Sequence, residues 1–146
     1  MARLKMNMVT IWNNTVPINA NEVIECAHSH GIRVIMGFHW GWGRKELSLT
    51  DANDMRRTRE EVVRTYTEQY APLDLDGIYF QTLTEHLRTE QEDRSTALLA
   101  CDWVNHIASA LFDLEPDLYI QFGLHAASIR EHYTDLRTLD RRITIV

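Results

Sequence analysis

The feature that most constrains this chain is an alternation. Short apolar runs, too short for helices, take turns with longer segments whose apolar residues recur at helical spacing. Met6 to Trp12 (MNMVTIW) is β-branched and apolar. A helix start follows: Asn19 is a candidate N-cap, Glu22 stands three residues on, and Ile18 and Val23 occupy the two staple positions. The helix is predicted to run to about His30, with Gly31 as its stop. Ile32 to Phe38 (IRVIMGF) is apolar on both faces, as suits a parallel strand covered on both sides.

The pattern repeats. His39-Trp40-Gly41-Trp42-Gly43 breaks the second strand into a loop. Thr50 or Asp51 can cap a second helix that runs to about Tyr70 and ends at Pro72. Met55, Val62, Tyr66 and Tyr70 face inward, and the pairs Glu60/Arg64 and Arg57/Glu61 have the spacing of a solvated face. Asp76-Gly77 lead into a third strand, Ile78 to Glu85. A polar loop, His86 to Arg94, precedes a helix from about Ser95 to Leu114 with Leu99, Trp103, Ile107 and Leu111 as its buried stripe. A fourth strand (Leu118 to Leu124), a shorter helix-like segment (Arg130 to Leu139) and a fifth strand beginning at Arg142 complete the order.

Such β-α-β-α-β-α-β-α-β alternation means parallel strands with right-handed crossovers, here in a single domain over residues 1–146. Two α/β architectures fit. One is a partial (β/α) barrel of the TIM type, about four βα units plus a fifth strand, with neighbours in chain order. The other is an open five-stranded doubly wound sheet, in which the strand order is rearranged. A complete eightfold barrel needs about 250 residues, so 146 residues would supply a segment of one.

Strand chemistry favours the barrel. Read with period two, each strand has one apolar face and a second face that turns polar toward its C-terminal end. That second face carries Trp12, Asn14, His39, Gln81, Glu85, Gln121 and His125. Covered central strands are apolar at nearly every position, whereas the inward residues of a barrel turn polar toward the C-terminal mouth. Buried without partners, a glutamine costs about 1–3 kcal/mol. Gln81 and Gln121, which fall at equivalent places in two Tyr-apolar-Gln runs, therefore suit a wet, functional lumen.

Composition removes several classes. The net charge of −6 argues against a nucleic-acid surface, which needs clustered Lys and Arg. No apolar run reaches the roughly 18 residues of a membrane helix, and the first eight residues do not read as a secretory signal. A cytoplasmic location is expected on that basis. Cys26 and Cys101 fall in predicted helices without C-x-x-C pairing, and read as small, mostly buried helix-face residues. His28 and His30 sit at a helix C-terminus, where a cationic side chain suits the dipole. Neither GxGxxG nor a P-loop follows any strand, so no nucleotide cofactor is expected. His39, Glu85 and His125 could converge as metal donors, but no H-x-H strand or H-E-x-x-H helix accompanies them, and no metal is expected.

Two short motifs resemble a known group. Ala27-His-Ser-His-Gly-Ile-Arg-Val34 is similar to the helix-to-strand junction A-x-x-x-G-I-[KR]-V of (β/α)8-barrel glycoside hydrolases. Leu75-Asp-Gly-Ile-Tyr-Phe-Gln-Thr-Leu-Thr-Glu85 resembles the strand of those barrels that delivers a glutamate to the mouth as general acid/base. Many of them have Asn-Glu there, and this chain has Thr84-Glu85. The resemblance implies hydrolysis of glycosidic bonds with Glu85 as candidate acid/base. Trp12, Trp40 and Trp42 would serve as stacking platforms for sugar rings, and Asn14, His39, Gln81, Gln121 and His125 as further substrate contacts. Two carboxylates are usually needed. No second one stands at a strand end, so it is expected from beyond Val146.

Two rivals remain open. A truncated barrel could bind carbohydrate without catalysis, or an open sheet could serve a small-ligand or regulatory role. A half barrel also leaves its edges uncovered, so self-association is expected.

Overall fold

A computed structural model describes residues 5–13, 15–38, 48–81, 90–91, 94–123 and 133–146. In chain order the elements are β1 (Met8–Ile11), α1 (Ala20–Ser29), β2 (Arg33–Phe38), α2 (Ala52–Thr65), a π turn (Tyr66–Tyr70), β3 (Gly77–Gln81), β4 (Glu90–Gln91), β5 (Arg94–Ser95), α3 (Thr96–Leu114), β6 (Ile120–Gly123), a 3-10 turn (Tyr133–Thr138) and β7 (Ile143–Ile145).

Five strands form one all-parallel sheet in the order β1-β2-β3-β6-β7, which is their order along the chain apart from a separate β4-β5 ladder. A doubly wound sheet would be rearranged, so the sequential order settles the choice for a partial TIM-type barrel, whose sheet is not closed. The β4-β5 ladder is antiparallel, with Glu90 opposite Ser95 and Gln91 opposite Arg94. It lies where the sequence predicts only a polar loop.

One face of the sheet packs on the helices. Val34, Met36, Ile78, Phe80, Ile120 and Phe122 alternate along the three inner strands, and each is at most 2% exposed. They join Val62 of α2 and Leu99, Trp103, Ile107 and Leu111 of α3 in one core. The predicted stripe of α3 is therefore buried, and its indole nitrogen has a partner: Trp103 Nε1 donates to the Leu49 carbonyl at 2.8 Å. Cys101 lies in the same interior, where burial pushes its thiol up to about 11. Cys26, in contrast to the expectation, is exposed on α1.

Helix ends show which local signals act. The Asp51 side chain caps α2, accepting from the amides of Asn53 at 2.7 Å and Asp54 at 3.4 Å. Asp54, also in the first turn, is buried. It accepts from the Ser48 amide at 3.1 Å and pairs with Arg57, and both interactions lower its pKa. The predicted start of α1 differs. Asn19 makes no side-chain cap bond, its φ of −102° and ψ of 32° lying outside the extended region that capping uses, and Ile18 is fully exposed, so no staple forms. Instead, the Ala20 amide donates to the Pro17 carbonyl at 3.1 Å. At the other end, Gly31 takes φ +68°, its amide bonds the His28 carbonyl at 2.9 Å, and the Ile32 amide bonds Ala27 at 3.0 Å. This is the Schellman stop expected there.

Two predicted helices change character toward their ends. The second is α-helical only to Thr65, and continues as the π turn that carries Tyr66 and Tyr70 into the core. Tyr66 donates to Glu115, and Tyr70 donates to the Gly37 carbonyl at 2.9 Å. Burial pushes the Tyr70 hydroxyl up to about 12. The segment predicted over Arg130 to Leu139 is a 3-10 turn in its described part. Among the described residues no helix is long and apolar enough to cross a membrane.

Candidate functional site

The face of the sheet turned away from the helices carries Met8 and Thr10 of β1, Ile35 and Gly37 of β2, Tyr79 of β3, and Gln121 and Gly123 of β6. It is concave. Thr10 and Gln121 are separated by two intervening strands, yet Thr10 Oγ1 donates to Gln121 Oε1 at 3.0 Å. Three inter-strand spacings of about 4.8 Å would put these strands ~14 Å apart in a flat sheet, beyond what the two side chains could bridge. The bond exists because the sheet curls and its inward side chains converge.

Gln121 is 4% exposed. Its Nε2 completes the pairing toward Met8 Sδ at 3.2 Å and the Tyr119 hydroxyl at 3.5 Å. The hollow is thus filled by protein at this height, where the sequence suggested water around the glutamine. The Tyr119 hydroxyl also meets Thr144, and the Arg33 guanidinium lies 5.6 Å from the ring centroid. The Thr144 and Gln121 hydrogen bonds lower the Tyr119 pKa, and the Arg33 charge adds to them against burial.

The two glutamines are not level. Tyr79 is opposite Gln121, and Gln81 is opposite Gly123, so Gln81 stands two residues nearer the C-terminal end than Gln121. The equivalence expected from the repeated Tyr-apolar-Gln run fails because neighbouring barrel strands are staggered. The stagger brings Tyr79 beside Gly123. A Cβ on Gly123 would lie 1.9 Å from the Tyr79 hydroxyl oxygen, so only a glycine leaves room for that ring.

The C-terminal ends of the strands form the mouth. β1 ends in a turn, with the Asn13 amide donating to the Ile11 carbonyl at 3.1 Å. That turn lies across β2 so closely that a Cβ on Gly37 would meet the Asn13 carbonyl oxygen at 2.9 Å. It presents Trp12, which is 61% exposed. Of the other predicted site residues, the backbone of Gln81 ends β3, and Asn14, His39, Trp40, Trp42, Glu85 and His125 lie outside the described residues. Thr10, Met8, Tyr79 and Tyr119 were not singled out from sequence. Their signal was the period-two face that they share with Gln121. Among the described residues no group of three His, Cys, Asp or Glu could hold a metal ion.

No protein-family model matches the chain, and no curated protein matches it. Solved structures do. An O-GlcNAc hydrolase variant from Thermobaculum terrenum has a TM-score of 0.71 at 14% identity, over 99% of this chain and 35% of that one. A GH5_18 variant from Streptomyces cattleya, in complex with Manb1-4GlcNAc, has a TM-score of 0.50 at 17% identity, over 84% of this chain and 37% of that one. Both neighbours are glycoside hydrolases, and the likeness is one of fold alone: a partial barrel of the TIM type. The chain spans little more than a third of the length of either.

Proposed function

We propose that this chain is a segment of a glycoside hydrolase-like barrel that works on a carbohydrate at the C-terminal ends of its strands. The observation that supports this best is the curled, sequentially ordered sheet, which aims successive strand ends at one mouth. β3 leads to Glu85, which would act as general acid/base toward the glycosidic oxygen. Trp12, Trp40 and Trp42 would stack on the apolar faces of sugar rings, and Asn14, Gln81, His39 and His125 would take hydroxyls. Gln121, held from β1 by Thr10, would line the floor. Both neighbours are described with GlcNAc-containing sugars, so GlcNAc glycosides are the first substrates to try.

Glycoside hydrolysis needs a second carboxylate, about 5–5.5 Å from the first for retention or about 6.5–9.5 Å for inversion. In the parent barrel that group would come from outside this chain. Glu85→Gln in the parent protein should lower kcat on an aryl GlcNAc glycoside by about 10²–10⁴-fold, the range for loss of an acid/base, with an unchanged urea midpoint. Equal turnover would remove Glu85 from the mechanism.

A second reading, carbohydrate binding without hydrolysis, is favoured by the predicted strand ends, at which Glu85 is the one acid read from the sequence. Saturable sugar binding with no turnover in either the native protein or Glu85→Gln would select it. In either reading the edges of β1 and β7, which have no further strand beside them among the described residues, would let this chain associate with itself. Sedimentation of a concentration-independent monomer would contradict that.

A further inference from the structure

The N-terminal end of the sheet, opposite the mouth, holds a cluster that the sugar chemistry does not use. His28, in the last turn of α1, has Nε2 2.8 Å from Asp76 Oδ2 and Nδ1 3.4 Å from Asp74 Oδ2. A neutral imidazole carries one N–H, and only an imidazolium donates from both nitrogens. Asp76 is itself fixed. Its Oδ2 accepts from the Val34 amide at 2.7 Å, and its own amide donates to the Val34 carbonyl at 3.0 Å. One ring therefore joins the end of α1, the start of β2 and the turn into β3.

Among the described residues, the charges that act on the ring are those of these two carboxylates. On α1, His30 turns Nδ1 to the Ser29 hydroxyl and the Cys26 carbonyl. On β2, Arg33 is stacked on Tyr119 at the concave face.

We propose that His28 is a proton-gated latch: doubly protonated, it ties the end of α1 to the β2–β3 junction through both carboxylates, and on losing one proton it keeps Asp76 and releases Asp74. In the released state Nε2–H still points at Asp76, while the bare Nδ1 lone pair faces a carboxylate oxygen. Asp74 is 93% exposed, so water screens its arm, and the charge-assisted bond to Asp76 is the stronger one. The hydrogen bond to Asp76, then the charges of Asp76 and Asp74, hold the His28 pKa above its ordinary 6.5 against the opposing effect of burial.

The sign follows. The folded chain binds this proton more tightly than the unfolded chain. The latch is at full strength below the ordinary histidine pKa and fades as pH rises through the folded value. His106 works the other way: burial and Arg59 lower its pKa, so its contribution is lost as pH falls. Native stability alone therefore mixes these slopes, with that of the buried Cys101 thiol added at the alkaline end, and the comparison with a His28 variant separates them.

The test follows the urea midpoint of the full chain, native and His28→Gln, from about pH 5.5 to about pH 9, either side of the histidine range. The gap between the two midpoints should be widest at the acid end and should close toward the alkaline end. An NMR titration of the imidazole should place His28 above 6.5 in the folded chain, and Asp76→Asn should lower it more than Asp74→Asn. Parallel midpoint curves, or a His28 titration at or below the ordinary value, would overturn the latch. The native titration reads the ring directly and decides the matter even if Asp76→Asn does not fold.

Discussion

Thr10 of β1 and Gln121 of β6 share a hydrogen bond of 3.0 Å across the hollow of the sheet, with β2 and β3 between their strands. The two ends of this bond differ. Gln121 is buried, and Thr10 is on the exposed edge strand. Thr10→Val keeps the shape and leaves the buried Gln121 Oε1 without its donor, a loss of about 1–3 kcal/mol. Gln121→Met leaves a hydroxyl that water can reach and conserves much of the volume, so its cost should stay below about 1.5 kcal/mol. Urea unfolding of the two variants measures this order. A Gln121→Met variant less stable than Thr10→Val would mean that the bond does not hold the curl.

The Tyr79 ring occupies the space that a side chain on Gly123 would need. Gly123→Ala should therefore destabilise by about 1–3 kcal/mol through overpacking. In a Tyr79→Ala background the same change should cost much less, because its obstacle is gone. A double-mutant cycle with no coupling would contradict this packing.

Helix caps give a sharper contrast than their sequences suggest. Asp51 and Asn19 both precede apolar-periodic segments, but only the Asp51 side chain reaches the amides of its helix. Asp51→Ala should lose about 0.5–2 kcal/mol, while Asn19→Ala should stay within the ~0.5 kcal/mol usual for a surface change. Thermal unfolding with equal losses for both would show that Asn19 caps in solution.

These contrasts mark what was legible in the sequence. Strand and helix alternation, the Gly31 stop, the α3 stripe and the apolar face of each strand follow from periodicity and local chemistry, and they were enough for a parallel α/β sheet, while its sequential order was favoured only by the polar second face of the strands. Inter-strand register was not legible. It depends on stagger, so Gln81 and Gln121 matched in sequence but not in height, and the Tyr79–Gly123 and Thr10–Gln121 contacts could not be foreseen. Asn19 does not cap because its backbone lies outside the extended conformation, and the Ala20 amide bonds the Pro17 carbonyl instead. Sequence alone ties His28 to its own helix dipole and to nothing else, because its carboxylate partners lie 46 and 48 residues on.

A carbohydrate bound in the concave mouth of the curled sheet would touch a defined set of residues. The most direct measurement is an NMR titration of the protein with a GlcNAc-containing disaccharide. The indole of Trp12 and the amides near Tyr79 and Gln121 should shift together and saturate, while those around His28 at the opposite end stay still. Saturating sugar that leaves Trp12 and the concave face unchanged, or that shifts only the helix layer, would contradict the account.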